Sequence, residues 1–206
     1  MKRKKINRFM QILGLILIFV SILICFLDYY KKYKVEKETK EVIETIFIEQ
    51  QPTPPTEETI QEDILVETPK EEEIILTNKY LGYIELINYG IKRLIVSGTD
   101  RDILDKGYVG ILETSSSIDD EVGNLILAGH SVNNTFGKLH SIKIGDKIKI
   151  VSHKNTYIYE IIEKHTINDD DMSFFYKVEN KKILTLITCK NNDKQRLIVV
   201  AELRGN

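Results

Sequence analysis

Residues 9–27, FMQILGLILIFVSILICFL, run for 19 positions without a charge. A helix rises ~1.5 Å per residue, so this length covers about 28 Å, close to the ~30 Å of a bilayer's hydrocarbon core. A helix of this composition has no polar face to turn toward water, which suits a membrane span. A secretory signal peptide has a shorter apolar region followed by a small-residue cleavage site. Here the run ends in Phe26-Leu27-Asp28-Tyr29-Tyr30, which contains no such site. An uncleaved anchor over residues 9–30 is therefore expected, with the paired tyrosines at the interface. Lys2, Arg3, Lys4, Lys5 and Arg8 form a basic tail of +5 over residues 1–8, which places the N-terminus in the cytoplasm by the positive-inside rule. Lys31, Lys32 and Lys34 reduce that asymmetry from the other side. Everything after Tyr30 is then outside the cell.

The 206-residue chain has a net charge of −2, but the charge is zoned. Residues 31–78 carry 13 acidic against 6 basic side chains, whereas residues 79–206 carry 17 against 18. No zone beyond the N-terminal tail has the clustered, acid-free Lys and Arg that a phosphate backbone demands, so nucleic acid is not an expected partner. Residues 31–50 hold Glu and Lys at helical spacings and extend the helix by some turns. Gln51-Pro52-Thr53-Pro54-Pro55 ends it, and the acidic, weakly hydrophobic residues that follow cannot offset the entropy of ordering. Residues 31–78 thus read as a Pro/Glu-containing stalk.

From residue 79 the pattern changes to short runs of Ile, Val, Leu and Tyr at roughly ten-residue intervals, separated by Gly, Asn and Asp. Strands are expected at residues 81–87, 92–97, 124–128, 147–152, 156–165, 183–188 and 197–203. Two short helices are expected, one after Thr99-Asp100, either of which can cap it, and one as a helical turn at residues 135–139. Seven or eight strands with few helices imply an all-β fold. Closure into a β-barrel is the expected architecture, since it removes exposed strand edges.

The strand at residues 183–188 delivers Cys189. The other cysteine, Cys25, lies in the anchor, so the two cannot form an intrachain disulfide. A lone thiol in an oxidising compartment is either a small buried hydrophobe or a reactive group, and the strand alone leaves both open. A thiol becomes a nucleophile when a base or cation favours its thiolate. Of four histidines, His153 reads as a solvated turn residue, His165 as a surface residue and His140 as part of a segment packing Phe136 and Leu139 inward. His130 ends NLILAGH, a buried-type strand whose Gly129 allows a backbone or ligand to approach closely. Arg196 lies seven residues after Cys189 and opens the strand LIVVAEL, so a tight connection returns its guanidinium toward the thiol.

These residues carry a resemblance. NLILAGHS, TLITC and RLIVVAEL, with FGKLHSIKIGDKIKI between them, resemble the sortases, cysteine transpeptidases of Gram-positive cell surfaces. The likeness covers about residues 79–203, and an N-terminal anchor and stalk are common in that family. The resemblance implies an eight-stranded barrel with Cys189 as nucleophile, His130 as acid/base partner and Arg196 as stabilising cation. It further implies that Ala128, Ile187 and Thr188 line a peptide groove. The implied partners are secreted proteins bearing a C-terminal sorting signal of LPxTG type and the amine of a peptidoglycan precursor. No cofactor is implied.

Some sortases bind calcium through acidic turns, and Ser117-Ile118-Asp119-Asp120-Glu121 and Asn168-Asp169-Asp170-Asp171 are similar to that arrangement. Ser115 and Ser116 stand where upstream glutamates would be needed, so no metal site is expected and both read as solvated turns. No second apolar span follows the last strand, which disfavours the pilus-building type. Two other readings compete: a noncatalytic barrel that binds peptide or wall, and a sortase-like protease whose thioacyl intermediate is hydrolysed. A papain-like enzyme has its cysteine before its histidine, the reverse of the order here.

Overall fold

Leu, Ile and Phe on all sides of residues 12–27 form a helix with no polar face, and the computed structural model contains it as α1, Lys2–Val42. Ile12, Ile16, Phe19, Ile22 and Phe26 all stand exposed, as lipid-facing side chains would. α1 is long and apolar enough to cross a membrane. A π-helical turn, Ile43–Ile48, continues it. The structure describes residues 2–48, 79–176, 178–190 and 194–204, so the proline-rich part of the expected stalk, residues 49–78, lies outside the described residues. The chain divides into two compact units, Met1–Lys40 and Glu41–Asn206.

The second unit is built from eight strands: β1 (Gly82–Leu86), β2 (Ile91–Ser97), β3 (Val109–Ile111), β4 (Gly123–Ala128), β5 (Lys147–Ser152), β6 (Thr156–Asn168), β7 (Lys182–Lys190) and β8 (Gln195–Leu203). They close into a barrel in the order β1-β2-β3-β4-β7-β8-β6-β5. The β2–β3 and β4–β7 pairs are parallel, and all others are antiparallel. The expected closed β-barrel is thus the fold. The strand not anticipated is β3, whose three residues are too few to show an alternation and which exists only through its two neighbours.

Side chains alternate between the two faces of a strand, and here both faces are covered. Leu125, Leu127, Leu184, Leu186, Leu197 and Val199 point inward to a core shared with Phe136 and Leu139. Ile126, Ile183, Ile187, Ile198 and Val200 point outward under Phe174, Phe175 and Val178. That double coverage is why β7 reads as an almost unbroken apolar run rather than an alternating one. A second outer cluster joins Tyr80, Tyr83, Leu94, Val96, Tyr108 and Val151 to Val42 and Ile43. Fully burying a side chain of this kind contributes roughly 1.5–3 kcal/mol.

A register shift between Ile161 and Glu163 in β6 has a large local effect. Without it, alternation from Tyr159 and Ile161 would turn Glu163 and His165 inward. With it, Lys164 and Thr166 face the inward residues Val199 and Leu197, and His165 turns outward. The Lys164 ammonium donates to the carbonyls of His140 (2.8 Å) and Ile142 (3.0 Å), closing the end of a 3-10 helix, Phe136–His140, that stoppers the barrel. Burial, reinforced by the charge of Lys190, holds the Lys164 amine below its ordinary value. The 3-10 helix stands where a short helical turn is expected, and Phe136 and Leu139 are buried as expected.

Two expectations about polar residues are corrected. His153 is not a solvated turn residue: it is half-buried, with Nε2 2.6 Å from the Tyr80 carbonyl. Asp119 is not merely solvated either, because it accepts hydrogen bonds from Ser152 Oγ (2.7 Å), Tyr157 Oη (2.9 Å) and Asn155 Nδ2 (3.4 Å). It thereby ties the segment before β4 to β5 and β6. Burial opposes ionisation of Asp119, but those hydrogen bonds and the Lys154 charge prevail and hold its carboxyl below the usual range.

Candidate active site

Parallel pairing of β4 and β7 sends both chains out at the same end of the barrel. Their register runs to Ala128 opposite Ile187, and the Gly129 amide continues it by donating to the Ile187 carbonyl at 3.1 Å. His130 follows one residue later, at the end where β7 delivers Cys189. β8 returns antiparallel to β7 and sets Arg196 directly opposite Cys189. The three residues singled out in the sequence are therefore all carried to the same end of the barrel. Cys189 and Arg196 share the outward side with Ile187 and Ile198, because Thr188 and Leu197 between them turn inward.

Gly129 has a specific reason to be glycine. A Cβ there would stand 2.8 Å from Cδ2 and 3.0 Å from Cγ of the buried Phe136 ring. What approaches this residue is thus the stopper of the barrel rather than a ligand. The Thr188 hydroxyl donates to the Gly129 carbonyl at 2.8 Å, and the Phe136 amide donates to the His130 carbonyl at 3.0 Å. Both bonds fix the backbone that carries the imidazole.

Cys189 and Arg196 are half-buried, and neither cysteine of the chain is part of a disulfide. The guanidinium donates to the Gln195 carbonyl at 3.2 Å. Of the three residues expected along a groove, Ala128 is half-buried, and Ile187, 7% exposed, belongs to the outer apolar cluster under Phe174. Thr188 departs from that expectation: it is 2% exposed, and its hydroxyl is committed to Gly129, so its side chain faces the barrel interior. Thr185 and Asn124 pair on the outer face (2.8 Å), and Asn124 also holds the Phe174 carbonyl (3.2 Å), fastening the β6–β7 connection over this cluster.

One neighbour escaped the sequence reading. His130 Nε2 lies 2.8 Å from Asp105 Oδ1, with the ring 34% and the carboxylate 59% exposed. Asp105 follows α2, Arg101–Leu104, which is the expected short helix, although Asp100 at its start makes no side-chain cap. No local pattern signals this contact between residues 25 apart, since it depends on β3 lying beside β4. The remaining histidines serve other ends: His140 Nε2 pairs with Ser131 Oγ (3.0 Å) and His165 Nδ1 with Glu163 (3.0 Å). Among the described residues, no three His, Cys, Asp or Glu side chains are grouped so as to hold a metal.

The chain is 31% identical to sortase D of Bacillus subtilis over 113 residues, 55% of this chain and 56% of that protein, so it spans little more than half of that relative. It is 26% identical to sortase A of Staphylococcus aureus over 217 aligned positions, covering 98% of this chain and 100% of that one. Among solved structures, a Clostridium perfringens sortase D5 transpeptidase superposes with a TM-score of 0.57 at 28% identity, covering 68% of this chain and 91% of that chain. The sortase domain model matches residues 83–204. Because that match begins within β1 and ends one residue beyond β8, it takes in the whole barrel, and the chain belongs to the sortase family.

Proposed function

We propose that the protein is a membrane-anchored cysteine transpeptidase that joins secreted proteins to the cell wall. The observation that carries this reading is the ladder pairing of Cys189 with Arg196, at the barrel end to which the parallel β4–β7 pair also leads His130. Sortases act on sorting-signal proteins and amine nucleophiles, and this chain offers the groups such a reaction needs at one barrel end.

In the proposed reaction, the Cys189 thiolate attacks the carbonyl carbon of the scissile peptide bond in an LPxTG-like C-terminal signal. The new S–C bond gives a tetrahedral intermediate whose oxyanion accepts hydrogen bonds from the Arg196 guanidinium. Collapse breaks the C–N bond, and the His130 imidazolium protonates the departing amine. The amine of a peptidoglycan precursor then attacks the thioacyl carbon, gives its proton to the neutral imidazole and expels the thiolate. Residues 9–30 hold the enzyme in the membrane with residues 1–8 in the cytoplasm and the barrel outside.

The test is a mass measurement. The full-length chain, in detergent and incubated with a library of sorting-signal peptides, should gain a thioacyl adduct on Cys189, and added amine should convert that adduct to a new amide. Cys189→Ala should give no adduct while keeping the wild-type melting temperature. An active Cys189→Ala protein would overturn the reading, and an adduct that only water discharges would replace transpeptidation by hydrolysis.

A further inference from the structure

The pair between Asp105 and His130 is not an accident of two surface side chains. The Asp105 amide donates to the Arg101 carbonyl at 2.8 Å, and the Gly107 amide to the Leu104 carbonyl at 2.9 Å. Gly107 has φ 79°, a left-handed conformation that lets the chain turn at once from α2 toward β3. β3 then pairs with β4, with Gly110 opposite Ala128. Asp105 lies five residues before one member of that pair and His130 two residues after the other. The same register therefore positions both side chains. An ion pair this exposed contributes little to stability, so fold maintenance does not account for its placement.

On the proposed function, we infer that Asp105 is a positioning residue that dictates which imidazole nitrogen exchanges protons. An ionised carboxylate only accepts hydrogen bonds, so while the 2.8 Å contact persists Nε2 keeps its proton. Nδ1 is then the atom that changes state. As Nδ1–H it gives its proton to the departing amine while the C–N bond breaks. As the bare nitrogen it takes a proton from the incoming amine while the new C–N bond forms and the C–S bond breaks. Asp105 itself neither gains nor loses a proton in either step. It acts by holding the tautomer and the ring plane, as partners of catalytic and metal-bound imidazoles generally do.

Two readouts on the full-length chain in detergent micelles test this, using variants at an exposed site where alanine fits the helical backbone. Imidazole 15N spectra at about pH 8.5, above the ordinary histidine value of ~6.5, report the tautomer, with the His130 signals assigned by their loss in His130→Gln. Wild type should show the Nε2–H form, and Asp105→Ala a mixture of both tautomers. In acyl transfer to an amine acceptor, Asp105→Ala should lower kcat roughly 10- to 100-fold with KM changed less than about twofold. Asp105→Asn, whose amide oxygen still accepts from Nε2–H, should recover most of both signals. Wild-type kcat in Asp105→Ala overturns the inference, as does a fall in kcat with the tautomer unchanged. If wild type forms no Cys189 adduct, the proposed function fails, while the ring spectra still decide whether Asp105 holds the proton.

Discussion

Arg196 shows how much one side chain's chemistry matters at this barrel end. It stands opposite Cys189 in the ladder and donates to the Gln195 carbonyl, and in the proposed reaction the planar fork of its guanidinium is the donor to the oxyanion. Lysine keeps the charge but loses the fork. Arg196→Lys is therefore expected to lower the rate of adduct formation about 10- to 100-fold, with the melting temperature unchanged, in a single-turnover assay read by mass. Cys189, His130 and Arg196 were legible in the sequence because each closes or opens a strong apolar run, and strand ends are where side chains leave a packed interior. Asp105 was not legible. Nothing near it in the chain records that His130 will arrive beside it, since the contact passes through β3, a strand with no pattern of its own.

At the level of elements, the parallel β4–β7 pair and the stopper helix act together. Gly129 leaves β4, carries the Phe136 ring against its Cα and receives the Thr188 hydroxyl, so one residue couples both strands to the plug. Gly129→Ala forces its Cβ against a ring that is itself 1% exposed and has nowhere to move. A loss of about 1–3 kcal/mol in unfolding free energy is expected, measurable by chemical denaturation, along with a displaced His130 and reduced activity. The sequence correctly marked this glycine as a point of close approach but misjudged what approaches. The β6 register shift was equally hidden. A strand with one extra residue keeps the composition of a strand, and only the pairing with β8 reveals that Lys164 rather than His165 turns inward to cap the stopper.

For the molecule as a whole, Asp119 links closure of the barrel to pH. It binds Ser152 at the end of β5 and Tyr157 at the start of β6, bracing the strand pair next to the β1–β5 seam. Its carboxyl is held below the ordinary range in the folded state, so the unfolded chain takes up its proton first as the pH falls. The stabilisation is thus fully present above about pH 4 and is lost as the pH drops further through the folded value. Asp119→Asn should be less stable than wild type at neutral pH, and its unfolding free energy should decline less between about pH 4 and pH 2, as followed by denaturant titrations at stepped pH. The sequence by itself determined the apolar membrane-length helix and the all-β character of the second unit, and the resemblance it carries nominated His130, Cys189 and Arg196. The helix and the strands follow from hydrophobic periodicity, which acts over a few neighbouring positions. Only the tertiary structure decided that β3 exists, that β4 and β7 run parallel and leave the barrel at one end, that Thr188 is buried, and that Asp105 lies beside the His130 imidazole. Those outcomes rest on hydrogen-bond register between strands far apart in the chain, and register is set when the barrel closes on its core.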